Sequence, residues 1–319
     1  MFGFNKNKKR ILIIGMPDLV LYCLLALKKN NKNIVGVLTS PTDDPTYIYM
    51  KDFLEDQKLL HIENNKNFKD PKLLEQIRAL TPDIAFVCSY NFLLPKELYE
   101  IPKLGTINFH PSLLPNYRGA NPYYHAMINK EKNTGVTMHY LDETFDTGDI
   151  IKQIKVPILP NDTMGSLFNR MNEATAKLCI ETVNRLERNE KLPRTPQQKN
   201  VEFIKAPKIY ADTDDVKIDW NKSIEDIELF IRALNPFFGA MSVCNGIEVK
   251  FWDTEIIYNN AASAVPAGSV CEITPHHIYI ATKQGFLKTK VLGIDGQNYY
   301  EETSEIIKIL ELKKGNQFI

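Results

Sequence analysis

The sequence predicts an α/β chain: an amino-terminal domain built from βαβ units, followed by a small, mainly β carboxy-terminal domain. Three observations carry this. Arg10 to Ile14 is a β-branched run ending at Gly15, Leu19, Val20, Cys23, Leu24 and Leu27 follow at helical spacing, and Ile34 to Leu38 is a second β-rich run. Asn189 to Asn200 is polar, carries Pro193 and Pro196, and reads as a linker. Beyond it, short alternating runs are punctuated by Gly246, Gly268, Gly285 and Gly293.

Within the first part, Pro17–Asp18 opens a helix after the first strand. Thr39 to Thr46 is a turn-rich loop and Tyr47 to Leu54 is helical. Asp70 to Leu80 is an amphipathic helix with Leu73, Leu74, Ile77 and Leu80 on one side. Ile84 to Cys88 is a strand, Tyr90 to Leu94 a partly apolar loop, Pro95 to Tyr99 a helical turn, and Thr106 to Phe109 the next strand. Asn121 to Asn129 is a helix. Thr134 to Tyr140 and Ile150 to Val156 are strands around the loop Asp142 to Asp149, and Thr163 to Leu186 is a long helix capped by Asp162 or Thr163. In the second part, Ser223 caps a helix running to Leu234, which Asn235–Pro236 stops. Strands follow at Met241–Val243, Ile247–Trp252, Gly268–Ile273, His277–Thr282 and Phe286–Gly293, a small barrel-like module. The domains expected are 1–188, a linker at 189–206, and 207–319.

The composition is that of an ordinary globular chain. Of 319 residues, 44% are apolar and 24% charged, and 39 Lys and Arg balance 39 Asp and Glu. Nothing global argues for a polyanionic partner. The five Cys are widely spaced, which argues against a close metal-ligand pair and for buried free thiols. The apolar run Ile11–Ile14 is too short for a signal peptide or a membrane span, so the expectation is a cytoplasmic protein without a membrane partner. The first βα turn, Gly15–Met16–Pro17–Asp18, lacks the Gly-x-Gly-x-x-Gly of dinucleotide sites.

The chemistry concentrates between Leu104 and Ile151. Asn108 and His110 stand two apart on a strand, so both side chains share one side, at a strand end where α/β sheets bind ligands. An amide can steady an oxyanion and an imidazole can move a proton. Asp146, in the turn Thr-Phe-Asp-Thr-Gly-Asp, could orient the imidazole or position a water. With no thiol or activated hydroxyl, the trio suits direct attack of an amine on a carbonyl carbon. Each feature also has a structural reading: Asn-x-His as a strand end, the Asp-Thr-Gly-Asp as a turn, Arg118 as a surface residue, Tyr123 and Tyr124 as packing. His139 receives no role, and His276 and His277 read as structural or surface residues.

The run Ile107–Asn108–Phe109–His110–Pro111–Ser112–Leu113–Leu114–Pro115–Asn116–Tyr117–Arg118–Gly119–Ala120 resembles the signature of formyltransferases that use 10-formyltetrahydrofolate. Thr134–Gly135–Val136–Thr137 and Leu141 to Ile150 resemble it further, and Ile218–Asp219–Trp220, Ile231 to Pro236 and Pro266 to Val270 are similar to the family's carboxy-terminal domain. The resemblance implies a Rossmann-like formyltransferase domain with Asn108, His110 and Asp146 as the catalytic trio. It implies that 10-formyltetrahydrofolate lies against Tyr90, Phe92, Leu93, Leu94, Leu141 and Asp142, with Ser112 and Arg118 at the mouth. No metal is expected. Arg118 could pair with a diphosphate, and Tyr123 or Tyr124 could pack on a ring.

The resemblance leaves the acceptor open. The loop Thr39 to Thr46 holds Asp43 and Asp44 and no Lys or Arg, an unfavourable face for a tRNA backbone. The loop also looks closer to that of the family's nucleotide-amino-sugar enzymes, and that resemblance implies as acceptor an amine on a nucleotide-linked amino sugar. The alternatives are methionyl-tRNA, then another amine or hydrolysis of the formyl-folate. A non-catalytic binding protein is disfavoured by the complete trio. The small β domain leaves a homodimer open.

Overall fold

The computed structural model describes residues 7–65, 67–90, 92–198, 202–211, 213–259, 262, 264–294 and 301–319. The chain divides into two compact units. The first comprises Met1–Pro122, Asn133–Pro157 and Asn169–Pro207, and the second Tyr123–Lys132, Ile158–Phe168 and Lys208–Ile319.

The first unit is a seven-stranded sheet. Its elements begin with β1 (Arg10–Gly15), α1 (Pro17–Lys29), β2 (Asn33–Thr39), α2 (Pro45–Asp56), β3 (His61–Glu63), α3 (Pro71–Ala79), β4 (Ile84–Cys88), α4 (Lys96–Tyr99) and β5 (Thr106–His110). Next in the chain come β6 (Arg118–Gly119), α5 (Pro122–Ile128), which from Tyr123 onward belongs to the second unit, β7 (Asn133–Tyr140), β8 (Ile150–Pro157), α6 (Met164–Glu187), which belongs to the first unit from Asn169 onward, and β9 (Lys205–Ala206). The sheet order is β3-β2-β1-β4-β5-β7-β8, and the short β6 and β9 pair with each other. Strands β1 to β5 run parallel, whereas β7 and β8 pair antiparallel.

Local chemistry explains the starts of the helices. Pro17, Pro45 and Pro71 sit in the first turns of α1, α2 and α3, where a missing N–H is harmless. Asp44 and Asp70 cap α2 and α3, accepting from the backbone N–H of Thr46 (2.7 Å) and Lys72 (3.0 Å). The α6 cap is Thr163, whose hydroxyl accepts from Ser166 N–H at 3.2 Å. Sheet and helices meet over an apolar layer that joins Leu12, Ile14, Ala85 and Val87 to Leu73, Leu74 and Ile77. Gly15 allows β1 to lie tight against β4: a Cβ there would stand 2.1 Å from the Cys88 carbonyl oxygen. The Gly15 turn thus serves strand packing. Cys23, Cys88 and Cys179 are buried free thiols, with the Cys88 and Cys23 sulfurs 3.7 Å apart.

In the second unit, α7 (Ile224–Leu234) is capped by Ser223, which accepts from Asp226 N–H at 3.1 Å. Then come β10 (Ala240–Cys244), β11 (Ile247–Tyr258), β12 (Val270–Ile273), β13 (Ile278–Ala281), β14 (Gly285–Ile294), β15 (Glu301–Glu302) and α8 (Thr303–Ile309). The antiparallel order is β10-β11-β14-β13-β12, with β15 on β14. The chain's last residues bridge the two ends of that path. Ile319 exchanges backbone hydrogen bonds with Val243 of β10, and Phe318 and Asn316 bond to Gly268 and Val270 beside β12. Trp220, Phe251 and Phe318 pack edge-on or tilted within the core so enclosed. The mainly β, antiparallel character read from the sequence is present, although the short strand β3, the β6–β9 pair and α8 lay outside that reading. No described helix is long and apolar enough to cross a membrane.

Candidate active site

The sheet changes direction at β5, and the candidate site lies there. On one side β5 pairs parallel with β4, Val87 opposite Asn108. On the other it pairs antiparallel with β7, Asn108 opposite His139 and His110 opposite Thr137. Residues directly opposite on paired strands share a face, so Asn108, His110 and His139 project together. The β7–β8 register shifts between Met138 and His139, a local irregularity that re-aims the strand beside the site.

Asp146 joins them from the loop between β7 and β8. It is 8% exposed and holds a left-handed backbone, φ 57°, a conformation that a short polar side chain tolerates better than most. One carboxylate oxygen, Oδ1, gathers the cluster. It lies 3.3 Å from His110 Nδ1, 3.4 Å from Asn108 Nδ2 and 3.7 Å from His139 Nε2. Burial pushes the Asp146 carboxyl up, but the hydrogen bonds and charge of His110 and His139 outweigh it and hold it well below the usual carboxylate range.

The second contacts of the two imidazoles fix their protons. His139 Nδ1 donates to the Tyr140 carbonyl at 2.9 Å; in the neutral ring Nε2 accepts from Asn108 Nδ2 at 3.1 Å, and in the protonated ring that nitrogen faces Asp146 Oδ1, 3.7 Å away. The amide of Asn108 is thereby oriented, one N–H on His139 and the other on the longer contact to Asp146. His110 Nε2 donates to the Tyr117 carbonyl at 2.8 Å, so its Nδ1 faces Asp146. Tyr117 is itself left-handed, φ 60°.

The remaining expected site residues fall into three groups. Tyr90 and Phe92 form an aromatic cluster with Phe68, ring centroids 5.4–5.9 Å apart, and the Tyr90 hydroxyl shares a 2.8 Å hydrogen bond with Ser40. In the same loop Leu93 is 46% exposed and Leu94 is buried; Asn91 lies outside the described residues. Leu141, Asp142 and Ser112 organise loops. Leu141 N–H donates to the Thr106 carbonyl at 2.9 Å, Asp142 accepts from Thr147 Oγ1 (2.7 Å) and Thr144 N–H (3.2 Å), and the buried Ser112 hydroxyl donates to the Asn116 carbonyl at 2.6 Å. Arg118 donates to the Gln197 side chain and lies 4.8 Å from the Phe203 ring centre. Tyr123 and Tyr124 belong to the second unit, where they meet Phe168 (5.5 Å) and Phe230 (6.4 Å) edge-on. The structure thus brings Asn108, His110 and Asp146 together and gives the two tyrosines packing partners.

Two participants were missed in the sequence. His139 has no local motif; the available signal was its alternation with Thr137 on a strand of the same sheet. Gln197 lies in the stretch 189–206 expected as a linker, of which 199–201 lie outside the described residues. Its amide nitrogen donates to the carbonyls of Asp146 (3.0 Å) and Gly148 (2.9 Å). Among the described residues, no group of three or more His, Cys, Asp or Glu could hold a metal ion.

An amide, two imidazoles and a carboxylate at a strand end can steady an oxyanion and move a proton. Comparisons with known proteins agree with that chemistry. The Formyl transferase family model matches residues 9–183, and the model for the Formyl transferase C-terminal domain matches 211–306. A methionyl-tRNA formyltransferase from Clostridioides difficile is 35% identical over 86% of this chain and 88% of its own length. Another, from Azobacteroides pseudotrichonymphae, is 32% identical over 98% of each. Among solved structures, HypX from Aquifex aeolicus in complex with tetrahydrofolic acid superposes with a TM-score of 0.69 at 18% identity. It covers 94% of this chain, which spans about half of that protein (47%). WlaRD, a sugar 3N-formyl transferase, gives 0.62 at 20% identity over 91% of this chain and 99% of that one. At such identities the structures show the fold alone.

These findings overturn the amino-sugar acceptor expected from the acidic loop. Relatives at 31–35% identity over most of the chain are methionyl-tRNA formyltransferases. The structure gives the physical reason why the loop misled. Asp44 is the N-cap of α2, its carboxylate turned onto the Thr46 N–H, so its presence reflects helix initiation and not the charge of an acceptor. With its catalytic-domain model matched over residues 9–183 and relatives aligned along nearly its whole length, this chain belongs to the formyl transferase family.

Proposed function

We propose that the protein transfers the formyl group of 10-formyltetrahydrofolate to the α-amino group of methionyl-tRNA, in the cytoplasm. The observation that carries the acceptor is the 32% identity over 98% of both chains with a methionyl-tRNA formyltransferase. The convergence of Asn108, His110 and His139 on one oxygen of Asp146 supports the chemistry.

The donor fits the loops beside the trio. Leu93, after β4, and Phe145, in the loop bearing Asp146, are 46% and 57% exposed, apolar surfaces that a flat heteroaromatic group would cover. Tyr90, Phe92, Leu93, Leu94, Leu141 and Asp142 would hold it, and it supplies an activated formyl carbon. In transfer, the acceptor nitrogen forms a bond to that carbon and the bond from the carbon to folate N10 breaks. Asn108 turns its second N–H, now on the long Asp146 contact, toward the developing oxyanion. The His110–Asp146 pair takes the proton lost by the amine and returns one to the leaving nitrogen.

The test is to incubate the protein with 10-formyltetrahydrofolate labelled in the formyl carbon and charged methionyl-tRNA, then hydrolyse the ester and identify the amino acid. Labelled N-formylmethionine supports the reading. Labelled free formate without formylmethionine would replace it with hydrolysis.

A further inference from the structure

The stretch joining α6 to the second unit makes a run of contacts with the active-site loops, all within the first unit. Thr195 exchanges backbone hydrogen bonds of 2.8 and 2.9 Å with Ile150, at the end of the Asp146 loop. Ile204 accepts from Tyr117 N–H at 2.6 Å and donates to Asn116 Oδ1 at 3.1 Å. Lys205 and Ala206 pair with Arg118 and Gly119. Between these anchors lies Gln197.

Every hydrogen-bonding position of the Gln197 amide used here has a determinate role. Arg118 is a pure donor, so the oxygen of Gln197 must face it. The nitrogen is then turned toward the carbonyls of Asp146 and Gly148, and both its hydrogens are used. The two left-handed residues that flank His110 are thus tied to the same stretch, Asp146 through Gln197 and Tyr117 through Ile204. Left-handed backbone at a non-glycine residue is unfavourable and persists only where surrounding contacts hold it. The carbonyl bonds from Gln197 are such contacts, at the residue that must present its carboxylate to His110.

We infer that Gln197 is a positioning residue for the reaction: it clamps the backbone of Asp146 and Gly148, ties that loop to Arg118, and so sets the carboxylate of Asp146 against His110. The inference rests on the proposed function only for its kinetic readout. His110 and His139 are the titratable groups that face Asp146, and Asn108 is the neutral one.

The experiment compares the wild-type protein with Gln197→Met and Gln197→Glu. Methionine keeps the length and removes every hydrogen bond. Glutamate keeps an acceptor for Arg118 and places a carboxylate against two carbonyls. The expected result for both is a fall in kcat of about tenfold, from the loss of the bonds to the Asp146 and Gly148 carbonyls that both variants share, with KM for the formyl donor changed less than twofold. The acid limb of kcat moves to higher pH, and ¹³C NMR of the free protein shows the Asp146 carboxyl titrating at higher pH than in wild type. An Asp146 titration that does not move in either variant overturns the inference, whatever happens to Tm. So does full activity in Gln197→Glu, which would reduce the interaction to the Arg118 pairing. If the wild-type protein formylates no methionyl-tRNA, the functional reading falls while the NMR titration still decides the clamp.

Discussion

Asn108 and His139 stand directly opposite each other across β5 and β7, and the amide nitrogen of Asn108 donates to His139 Nε2 at 3.1 Å. The imidazole can accept only because its other nitrogen donates to the Tyr140 carbonyl. A backbone group one residue away therefore dictates how the Asn108 amide faces the site. His139→Ala removes the acceptor and lets the amide rotate. The expected outcome is a kcat lowered roughly 10- to 100-fold, as for a misplaced reacting group, with donor KM little changed. Steady-state kinetics at saturating acceptor measures it.

His110 is 4% exposed and bonded at both nitrogens. His110→Ala should lower kcat by about 10²- to 10⁴-fold, the range for a lost acid–base group. It also removes the His110 hydrogen bond to the Tyr117 carbonyl, at a cost of about 0.5–1.5 kcal/mol. Urea unfolding alongside kinetics separates the two effects: the fold persists with a lower midpoint while turnover is nearly lost. Retained turnover with only a lower midpoint would make His110 a structural residue.

Asp146 gives a prediction for stability against pH. Its carboxyl is depressed in the folded protein: burial raises it, and His110 and His139 more than reverse this. The unfolded carboxyl titrates near about 3.9. The folded state therefore binds fewer protons, and the stabilisation is fully present above that pH and fades as the pH falls toward the lower folded value. Asp146→Asn should be less stable than wild type at pH 5, with the difference shrinking at pH 3. Paired urea melts at both pH values check this; a difference that grows toward pH 3 would contradict it.

Gly148 is required by packing. A Cβ there would stand 1.9 Å from the Tyr140 carbonyl oxygen and 3.6 Å from His139 Nδ1. Gly148→Ala must push the loop away from the end of β7, the same carbonyl that orients His139. The expected cost is about 1–3 kcal/mol, as for overpacking, with a loss of kcat greater than the loss of stability alone would produce at 25 °C. Thermal melts and initial rates report the two quantities.

Much of this site was legible because it is local. Asn108 and His110 share a face through strand alternation, Pro17–Asp18 and Ser223 announced the starts of α1 and α7, and apolar spacing announced α3. What escaped depends on cross-strand register or on distant chain. His139 acquires its role only when β7 pairs with β5, and Gln197 only when its stretch returns to the Asp146 loop, 51 residues away in sequence. The β6–β9 pair has the same cause, two residues meeting two others across a long separation. Asp44 was misread for the opposite reason: a local capping role was taken as a surface charge with a partner in view. Composition could not resolve this, since balanced charge is compatible with either acceptor.

The measurement that tests the account most directly is acceptor-dependent release of tetrahydrofolate from 10-formyltetrahydrofolate, with charged methionyl-tRNA and a panel of UDP-, dTDP- and GDP-linked amino sugars assayed in parallel. The account predicts turnover with methionyl-tRNA, abolished in His110→Ala, and none with the sugars. Turnover with a nucleotide amino sugar and none with the charged tRNA would contradict it.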